Sequence, residues 1–406
     1  MRQALILAVL LAVLPALPAH AAGPVLSVPE GDLSATLSCP RSLAGATRAP
    51  VLLIPGTALE PRANFDWNYE PALDAAGIPW CALTVPRYGM GDVQEAAEYV
   101  VGALRRMHAA SGRRVSIVGF SQGGTVGRWA LKWWPDTRAM VEDLIGLAPS
   151  NHGTLSGRLV CLVSCPPSFW QQLGGARFIA ALNDGGETFA GIDYTVAYTR
   201  YDEIVSPNVD PRTASSPLRT GGGRVSNVQV QDICPADVSD HLALGSYDPV
   251  AWALALDALG HDGPADARRI DRRVCGRLFM PGVDGAAFAA DYARYAATVA
   301  RAVLGGEQVR AEPPLRCYVT STCPAAAAAP AASKPCARRV TMRLDRRLRR
   351  ARVTVGGRRV RVRRRHGRLV AVVDLRRRSG VVTVRIDGVT RHGRKLSQTR
   401  RYRGCA

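Results

Sequence analysis

A serine inside a G-x-S-x-G stretch is the first residue whose type and setting point to chemistry. Ser121 lies in "IVGFSQGGTVG", residues 117–127, directly after the apolar run "RVSIV" and before a helical pattern that begins near Gln122. A strand, a sharp turn and a helix in this order form the elbow that exposes a nucleophilic serine. The motif alone is weak evidence in a chain with 39 glycines, because a glycine-rich turn that caps a helix has the same letters.

A serine hydroxyl becomes a nucleophile when a histidine accepts its proton and a carboxylate orients that histidine. After such an elbow the expected chain order is serine, acid, histidine. His241 follows the apolar run "VQVQDI" and opens a loop before a helix, which is where a mobile catalytic base is expected. His152 precedes any suitable acid but remains a candidate pocket residue, and His261 ends a helical stretch. We therefore predict His241 as the base.

The acid that we predict is Asp202, a few residues after the strand-like run "YTVAY" and followed by apolar residues. Glu203 is adjacent and is expected to point elsewhere. Asp193, which precedes the strand, and Asp210, in a proline-flanked loop, remain alternatives.

Ester hydrolysis passes through an oxyanion that needs backbone N–H donors, one of them on the residue after the serine. That residue is Gln122. The loop "LLIPGTALEP" offers a second donor, because Gly56 permits close approach and Thr57 has both an N–H and a hydroxyl. The letters P-G-T are equally typical of a simple turn.

The elements that must position these residues alternate along the chain. Continuous apolar runs predict buried strands at 51–54, 115–118, 143–148 and 194–198, and helical patterns cover 92–110, 122–134 and 284–304. Such runs are typical of parallel strands that are buried on both faces. The sequence therefore predicts an α/β domain over residues 22–324, with a mostly parallel sheet covered by helices on both faces.

The N-terminus has the features of a secretory signal peptide, which we place at residues 1–21. Arg2 precedes an apolar run from Ala4 to Leu14, and an A-x-A site ends at Ala21. The run is shorter than the roughly 20 residues that cross a membrane, and no later run reaches that length. We predict a secreted, extracellular monomer without a transmembrane segment.

Export agrees with ten cysteines, an even number suited to disulfides in an oxidising compartment. The spacings of Cys161 and Cys165, and of Cys317 and Cys323, also occur in metal sites, but no histidine or second cysteine pair completes four ligands. We predict no metal. Proximity instead pairs Cys161 with Cys165 and Cys317 with Cys323.

The last 71 residues have a different composition. After an Ala/Pro linker at 325–335, residues 336–406 contain 24 Arg, one Lys and three Asp, a net +22, which leaves −2 for the rest of a chain of +20. Alternating Val and Arg with Gly-containing turns predicts a small all-β, Ig-like sandwich. Cys336 and Cys405 lie at its two ends, and we predict that they form a disulfide that stabilises it.

This charge makes the module a candidate anchor to an anionic cell-wall polymer or acidic lipid surface. Nucleic acid is a less fitting partner because Tyr402 is the module's one aromatic residue. The arginines are equally explained as a solvated face.

Several motifs occur in the same order across roughly residues 35–310. They are "LLIPGTAL", "SQGGTVGRWALKWWP", "LAPSNHGT", "PSFWQQLGG", "YDEIV" and a "DH" after "DIC". Together they resemble the family of secreted lipases and esterases typified by Candida antarctica lipase B. The resemblance implies an α/β-hydrolase fold without a cofactor, the disulfides Cys39–Cys81 and Cys234–Cys275, and a site made of Ser121 (nucleophile), Asp202 (acid), His241 (base), and Thr57 and Gln122 (oxyanion donors).

The chain also departs from the fungal pattern. Phe120 stands where that enzyme has Trp, "APSNHGT" lacks its acidic residue, and the basic module has no counterpart there. Cys161 and Cys165 are extra and lie close to the place of the family's short lid.

The interpretation that joins these features is a secreted serine carboxylic-ester hydrolase acting on lipid or other esters, a triacylglycerol lipase. Two alternatives are an acyltransferase that uses an alcohol in place of water, and a surface-binding protein whose Arg-rich module carries the function.

Overall fold

A seven-stranded sheet organises the larger part of the chain. The computed structural model describes residues 23–158, 160–320, 339–345, 347–365, 368–376, 379–390 and 394–405. The chain divides into two units, residues 1–322 and 323–406. The predicted signal segment and the predicted linker both lie outside the described residues.

The strands of the first unit are β1 (Leu37–Ser38), β2 (Val51–Ile54), β3 (Trp80–Leu83), β4 (Val115–Phe120), β5 (Val141–Leu147), β6 (Asp193–Tyr198) and β7 (Arg224–Gln229). Their order is β1-β3-β2-β4-β5-β6-β7, and β1 pairs antiparallel with β3 while all the others run parallel. The carboxyl ends of β2, β4, β5, β6 and β7 therefore lie along one edge of the sheet.

The α-helices are α1 (Glu30–Ala35), α2 (Pro61–Asn64), α3 (Tyr69–Ala75), α4 (Val93–Ser111), α5 (Gln122–Trp133), α6 (Pro167–Gln171), α7 (Arg177–Asn183), α8 (Val230–Ile233), α9 (His241–Leu244), α10 (Pro249–Gly260) and α11 (Phe288–Gly305). Short 3₁₀ helices lie at Pro86–Gly89, Pro135–Met140, Ser156–Arg158, Ala267–Arg269 and Arg272–Gly276. None of the helices in the described ranges combines the length and the hydrophobicity that spanning a bilayer requires.

Two hydrophobic cores explain why the strands read as unbroken apolar runs. Leu52 and Ile54 of β2 pack into the core that contains residues of α4 and α5, whereas Val51 and Leu53 face the core that contains residues of α3 and α10. Successive side chains of a strand point to opposite faces, so a sheet covered on both faces needs an apolar residue at every position. The predicted α/β architecture is confirmed.

Element boundaries differ slightly from the predicted ones. The helix predicted from Asp284 begins at Phe288, because the Asp284 carboxylate accepts a hydrogen bond from Ala286 N (2.9 Å) and forms a turn there. The run "VQVQDI" is not one element: its first residues end β7 and the rest form the one-turn helix α8.

Three disulfides join described residues of the first unit: Cys39–Cys81, Cys161–Cys165 and Cys234–Cys275. The first ties β1 to β3, and the last ties the segment before α9 to the 3₁₀ helix at Arg272–Gly276. The predicted partners Cys323 and Cys336, and the side chain of Cys405, lie outside the described residues.

The second unit consists of antiparallel strands: β8 (Arg339–Arg343), β9 (Leu348–Val355), β10 (Arg358–Val360), β11 (Val362–Arg365), β12 (Arg368–Asp374), β13 (Ser379–Thr390) and β14 (Lys395–Cys405). They form two sheets, β10-β9-β13-β14 and β11-β12-β8. Alternate residues such as Val353, Ala371 and Val384 are buried in one shared core. The predicted all-β architecture of this unit is confirmed, and it rests on period-two alternation rather than on continuous apolar runs.

Candidate active site

Ser121 lies in a sharp turn between β4 and α5, in a backbone conformation that is unusual for a residue with a side chain. Its φ is 52° and its ψ is −119°. A methyl group at Gly123 would lie 2.2 Å from the Ile54 carbonyl oxygen, and one at Gly119 would lie 2.4 Å from the carbonyl carbon of Gly123. Both glycines of G-x-S-x-G are therefore required by close backbone approach, and the strain falls on the serine between them.

Asp202 and His241 form a buried hydrogen-bonded pair. His241 Nδ1 lies 2.9 Å from Asp202 Oδ2, and the two side chains are 3% and 0% exposed. A carboxylate can only accept, so Nδ1 carries the proton and Nε2 is left as the acceptor. The other carboxylate oxygen accepts from the backbone N–H of Ile204 (3.1 Å) and of Val205 (2.6 Å), which fixes the orientation of Asp202.

Phe120, the residue before Ser121, packs beside the imidazole of His241. Its ring centroid lies 4.9 Å from that of His241. The Phe120 ring is enclosed so tightly that a methyl group at Gly245 would lie 2.1 Å from it. In the described part of the chain the Ser121 hydroxyl makes no hydrogen bond with His241. Such bonds are often long in the absence of substrate.

The loop after β2 lies beside Ser121 and is anchored by a side-chain and a backbone hydrogen bond. A methyl group at Gly56 would lie 3.4 Å from the Ser121 Cβ. Gly56 N donates to Asn64 Oδ1 (3.2 Å), and Ala58, at a φ of 67°, donates from its N–H to the Tyr88 carbonyl (2.8 Å). Thr57 stands between these two anchored residues.

The backbone N–H groups of Thr57 and Gln122 have no hydrogen-bond acceptor among the described residues. Gln122 is the first residue of α5, where backbone N–H groups have no intrahelical acceptor and the helix dipole favours negative charge. These are the donors that an oxyanion would need.

A chain of side-chain hydrogen bonds leads to the Thr57 hydroxyl. Gln172 Nε2 donates to Thr57 Oγ1 (3.0 Å), Ser150 Oγ donates to Gln172 Oε1 (2.9 Å), and Thr125 Oγ1 lies 3.0 Å from Ser150 Oγ. Because the Thr57 oxygen accepts from Gln172, its own proton is free to be donated elsewhere.

No protein-family model matches the chain. Lipase B from Pseudozyma antarctica is 34% identical over 221 residues, which is 54% of this chain and 64% of that protein's length. The crystal structure of Aspergillus fumigatus lipase B is 35% identical, superposes with a TM-score of 0.67, and is matched over 75% of its own chain and 76% of this one. The chain belongs to the lipase B-like α/β-hydrolases.

The other acids considered for this lipase B-like hydrolase lie elsewhere. Asp193 begins β6 at the opposite end of the strand from Asp202, and its carboxylate pairs with Arg224 at 2.6 Å. Asp210 accepts from Arg212 N (3.0 Å) inside its own loop. Neither carboxylate forms a hydrogen bond or an ion pair with a described histidine.

The other histidines also have structural partners. His152 Nε2 lies 3.1 Å from Glu187 Oε1, and its Nδ1 lies 3.1 Å from the Ser215 carbonyl oxygen. His152 and Arg219 lower the pKa of Glu187 against the opposing effect of its burial. His261 ends α10, as predicted, with Nδ1 2.9 Å from the Asp257 carbonyl oxygen.

Glu203 does not point elsewhere, contrary to the prediction. Its Oε2 accepts a hydrogen bond from His241 N at 3.0 Å. Adjacent acids therefore hold the same histidine, Asp202 through the imidazole and Glu203 through the backbone. Sequence reasoning missed this contact because adjacent residues of an extended chain usually face opposite ways, whereas the chain bends at Glu203, directly after Asp202.

The segment that leads into His241 is fixed to the start of α10. Ser239 Oγ donates to Asp248 Oδ2 (2.5 Å), and Asp248 Oδ1 caps α10 by accepting from Ala251 N (2.6 Å). Burial raises the pKa of Asp248, and the nearby Asp237 carboxylate raises it further. These contacts limit the freedom of the residues just before His241.

Proposed function

We propose that the first unit is a serine carboxylic-ester hydrolase whose catalytic residues are Ser121, Asp202 and His241. The observation that carries the proposal is the buried hydrogen bond between His241 Nδ1 and Asp202 Oδ2 beside the strained Ser121 turn. It leaves Nε2 as the one imidazole nitrogen able to accept a proton, which is the arrangement that activates a serine hydroxyl.

Acylation begins when Ser121 Oγ attacks the ester carbonyl carbon and His241 Nε2 takes the hydroxyl proton. The carbonyl oxygen becomes an oxyanion that accepts from Thr57 N, Gln122 N and the Thr57 hydroxyl. The intermediate collapses as His241 donates its proton to the alkoxy oxygen of the leaving alcohol. The acyl group is then bound to Ser121.

Deacylation repeats these steps with water. His241 Nε2 accepts a proton from the water as its oxygen attacks the acyl carbon, and the same donors hold the second oxyanion. Collapse breaks the bond to Ser121 Oγ, returns the proton to that oxygen and releases the carboxylic acid. No cofactor takes part in the proposed cycle.

Exposed apolar side chains support lipid esters, including triacylglycerols, as the substrate class. Leu162 and Val163 are 75% and 78% exposed between the bonded Cys161 and Cys165. The segment before them joins the loop that carries Asp202, because Thr154 Oγ1 donates to the Ile204 carbonyl (2.6 Å). Ile204 is itself 42% exposed. Exposed apolar side chains mark interaction sites, and we propose that these contact the surface of an insoluble ester.

The role of Leu162 and Val163 is tested with a soluble and an insoluble substrate. We expect Leu162→Ser/Val163→Ser to lower hydrolysis of a triolein emulsion at least about tenfold, since ~150 Å² of apolar contact is lost, while p-nitrophenyl acetate hydrolysis stays within about twofold. Val25→Ser is the control, at a residue that is 87% exposed and follows Pro24, whose carbonyl accepts from Trp134 Nε1. Equal losses on both substrates would contradict the proposal.

Secretion and the domain boundaries belong to the same proposal. The disulfides of the first unit suit an oxidising compartment, and the N-terminal sequence has the features of a signal peptide. We propose a signal peptide at 1–21, a hydrolase at 22–324, a linker at 325–335 and an Arg-rich domain at 336–406.

Ser121→Ala tests the function directly. We expect it to lower kcat/KM for p-nitrophenyl esters from acetate to palmitate by at least about 10³-fold, as loss of a triad serine does. A fluorophosphonate probe should label the unaltered protein at Ser121 and leave the variant unlabelled. Activity within tenfold of the unaltered protein would reject Ser121 as the nucleophile. Product analysis with added alcohol would distinguish hydrolysis from acyl transfer.

A further inference from the structure

The outward face of the three-stranded sheet in the second unit carries arginines on both sides of a valine strip. In the register of β12 with its two neighbours, Val370 lies between Arg363 of β11 and Arg343 of β8. Val372 continues the strip, whereas the alternate residue Ala371 is buried in the core. The middle of the central strand is therefore apolar on this face, with Arg368 at one end and Asp374 at the other, and the flanking strands are cationic.

These strands line a groove of ≈ 800 Å³ with the valines at its centre. The arginines of the groove are Arg339, Arg343, Arg361, Arg363, Arg365 and Arg368. Outward residues of one strand repeat every ~6.7 Å, and the two strands that flank a central strand are ~9.6 Å apart. The groove thus presents two rows of positive charge. Arg361, Arg363 and Arg365 follow this spacing on the β11 side, whereas Thr341 separates Arg339 from Arg343 on the β8 side.

The positive charge of this groove exceeds the negative charge near it. Asp374 lies opposite Arg339 in the register of β12 with β8, and Asp345 is near enough to Arg368 for their charges to interact. The three aspartates of residues 336–406 each pair with a nearby arginine outside the groove: Asp345 with Arg347 (2.7 Å), Asp374 with Arg376 (2.7 Å) and Asp387 with Arg385 (3.1 Å). Within the described ranges, none of the groove arginines forms an ion pair. Arg368 Nε is in addition buried without a hydrogen-bond acceptor.

We propose that this groove binds a linear phosphodiester polymer that has no aromatic bases. The non-bridging oxygens of a phosphodiester point to opposite sides of the polymer chain, so a chain lying over the valines offers one oxygen to each row of arginines. Guanidinium groups match phosphate oxygens with paired N–H donors.

The composition of the face disfavours two other polyanionic partners. Val370 and Val372 are short and lie between long arginine side chains, with Val372 38% exposed, so neither reaches the acyl region of a membrane. Nucleic-acid bases bind by stacking on aromatic residues. The single aromatic residue of the unit, Tyr402, lies in the other sheet and packs against the core.

The test measures binding of a fluorescein-labelled glycerol phosphate decamer to the full-length protein by anisotropy at 50–300 mM NaCl. Arg343→Gln/Arg363→Gln removes one charge from each row. Arg350→Gln/Arg352→Gln is the matched control, with the same charge change at exposed positions of β9 in the other sheet. Val372→Asp keeps all six groove arginines and places a repelling charge on the strip. Circular dichroism and hydrolysis of a soluble ester report on folding.

We expect Arg343→Gln/Arg363→Gln and Val372→Asp each to weaken binding at least about tenfold at 100 mM NaCl. The double variant should also lower the slope of log Kd against log salt by about two, one for each lost contact. The control should change Kd less than about twofold. Equal weakening by both arginine pairs would overturn the proposal in favour of a diffusely charged surface. Tighter binding of phosphatidylglycerol vesicles, polygalacturonate or a thymidine decamer would overturn it in favour of that partner.

Discussion

The hydroxyl of Thr57 has one proton to donate, and its hydrogen bond with Gln172 restricts the direction in which that proton points. Gln172 Nε2 donates to the Thr57 oxygen, and Ser150 in turn holds the Gln172 amide in that orientation. The buried residues of this network leave the Thr57 proton directed away from Gln172. Oriented donors of this kind stabilise an oxyanion because they need no reorganisation during the reaction.

Asp202→Asn tests whether the Asp202 carboxylate sets the tautomer of His241. We expect kcat on a soluble ester to fall by about 10⁴-fold, because an amide can donate to Nδ1 and so favours the wrong tautomer. Asp210→Asn is the matched control, since its carboxylate accepts within its own loop. Glu203→Gln should cost far less, because the amide oxygen can still accept from His241 N. A larger loss in Asp210→Asn would contradict the assignment of the acid.

Strand β5 joins the site to an acidic residue near its amino end. The strand ends at Leu147, just before the loop that carries Ser150, and Asp143 lies four residues before that end. Burial raises the pKa of Asp143 to about 7, more than the hydrogen bond from Ser116 lowers it. The folded protein therefore holds a proton on Asp143 at pH values where the unfolded chain has lost it.

This raised pKa predicts a pH-dependent stability. Between about pH 4 and pH 7 Asp143 binds more protons in the folded state than in the unfolded state, so its contribution to the free energy of unfolding decreases as pH rises through this window. Asp143→Asn should abolish this contribution and stabilise the protein at pH 8 by on the order of 2 kcal/mol, with little change at pH 4. Urea denaturation from pH 4 to pH 8 provides the measurement. Parallel stability curves for the two proteins would contradict the prediction.

In the whole molecule, the two units differ in net charge and have separate hydrophobic cores. The residues before 336 carry a net charge of −2 and those from 336 carry +22. Among the described residues, the seven-stranded sheet is buried in two cores of the first unit, and the second unit has a core of its own. Units with separate cores are expected to fold independently.

A shortened chain that ends at Pro324 tests this independence. We expect its kcat/KM on p-nitrophenyl butyrate to stay within about twofold of the full-length value, because every proposed catalytic residue and its core lie in the first unit. Binding of the glycerol phosphate decamer should be lost. An inactive or unfolded shortened chain, shown by circular dichroism beside the activity assay, would mean that the first unit depends on the second.

Local sequence patterns were sufficient to predict most of the buried strands and the candidate catalytic residues. Continuous apolar runs predicted the buried strands β2, β4, β5 and β6, because a strand covered on both faces must be apolar at every position. Chain order and strand context placed Ser121, Asp202 and His241 after strands that are now seen to end at one sheet edge.

Contacts between distant segments were decided by the tertiary structure alone. Asp202 and His241 are 39 residues apart, and their hydrogen bond exists because the parallel strands β6 and β7 end side by side. The hydrogen bond between Gln172 and Thr57 likewise joins residues that are 115 positions apart in the sequence. The sequence showed that the second unit alternates Arg with Val, but strand pairing decided which arginines share one face. Spacing along a chain sets the face of each residue within its strand, whereas sheet register and loop packing set its neighbours across strands.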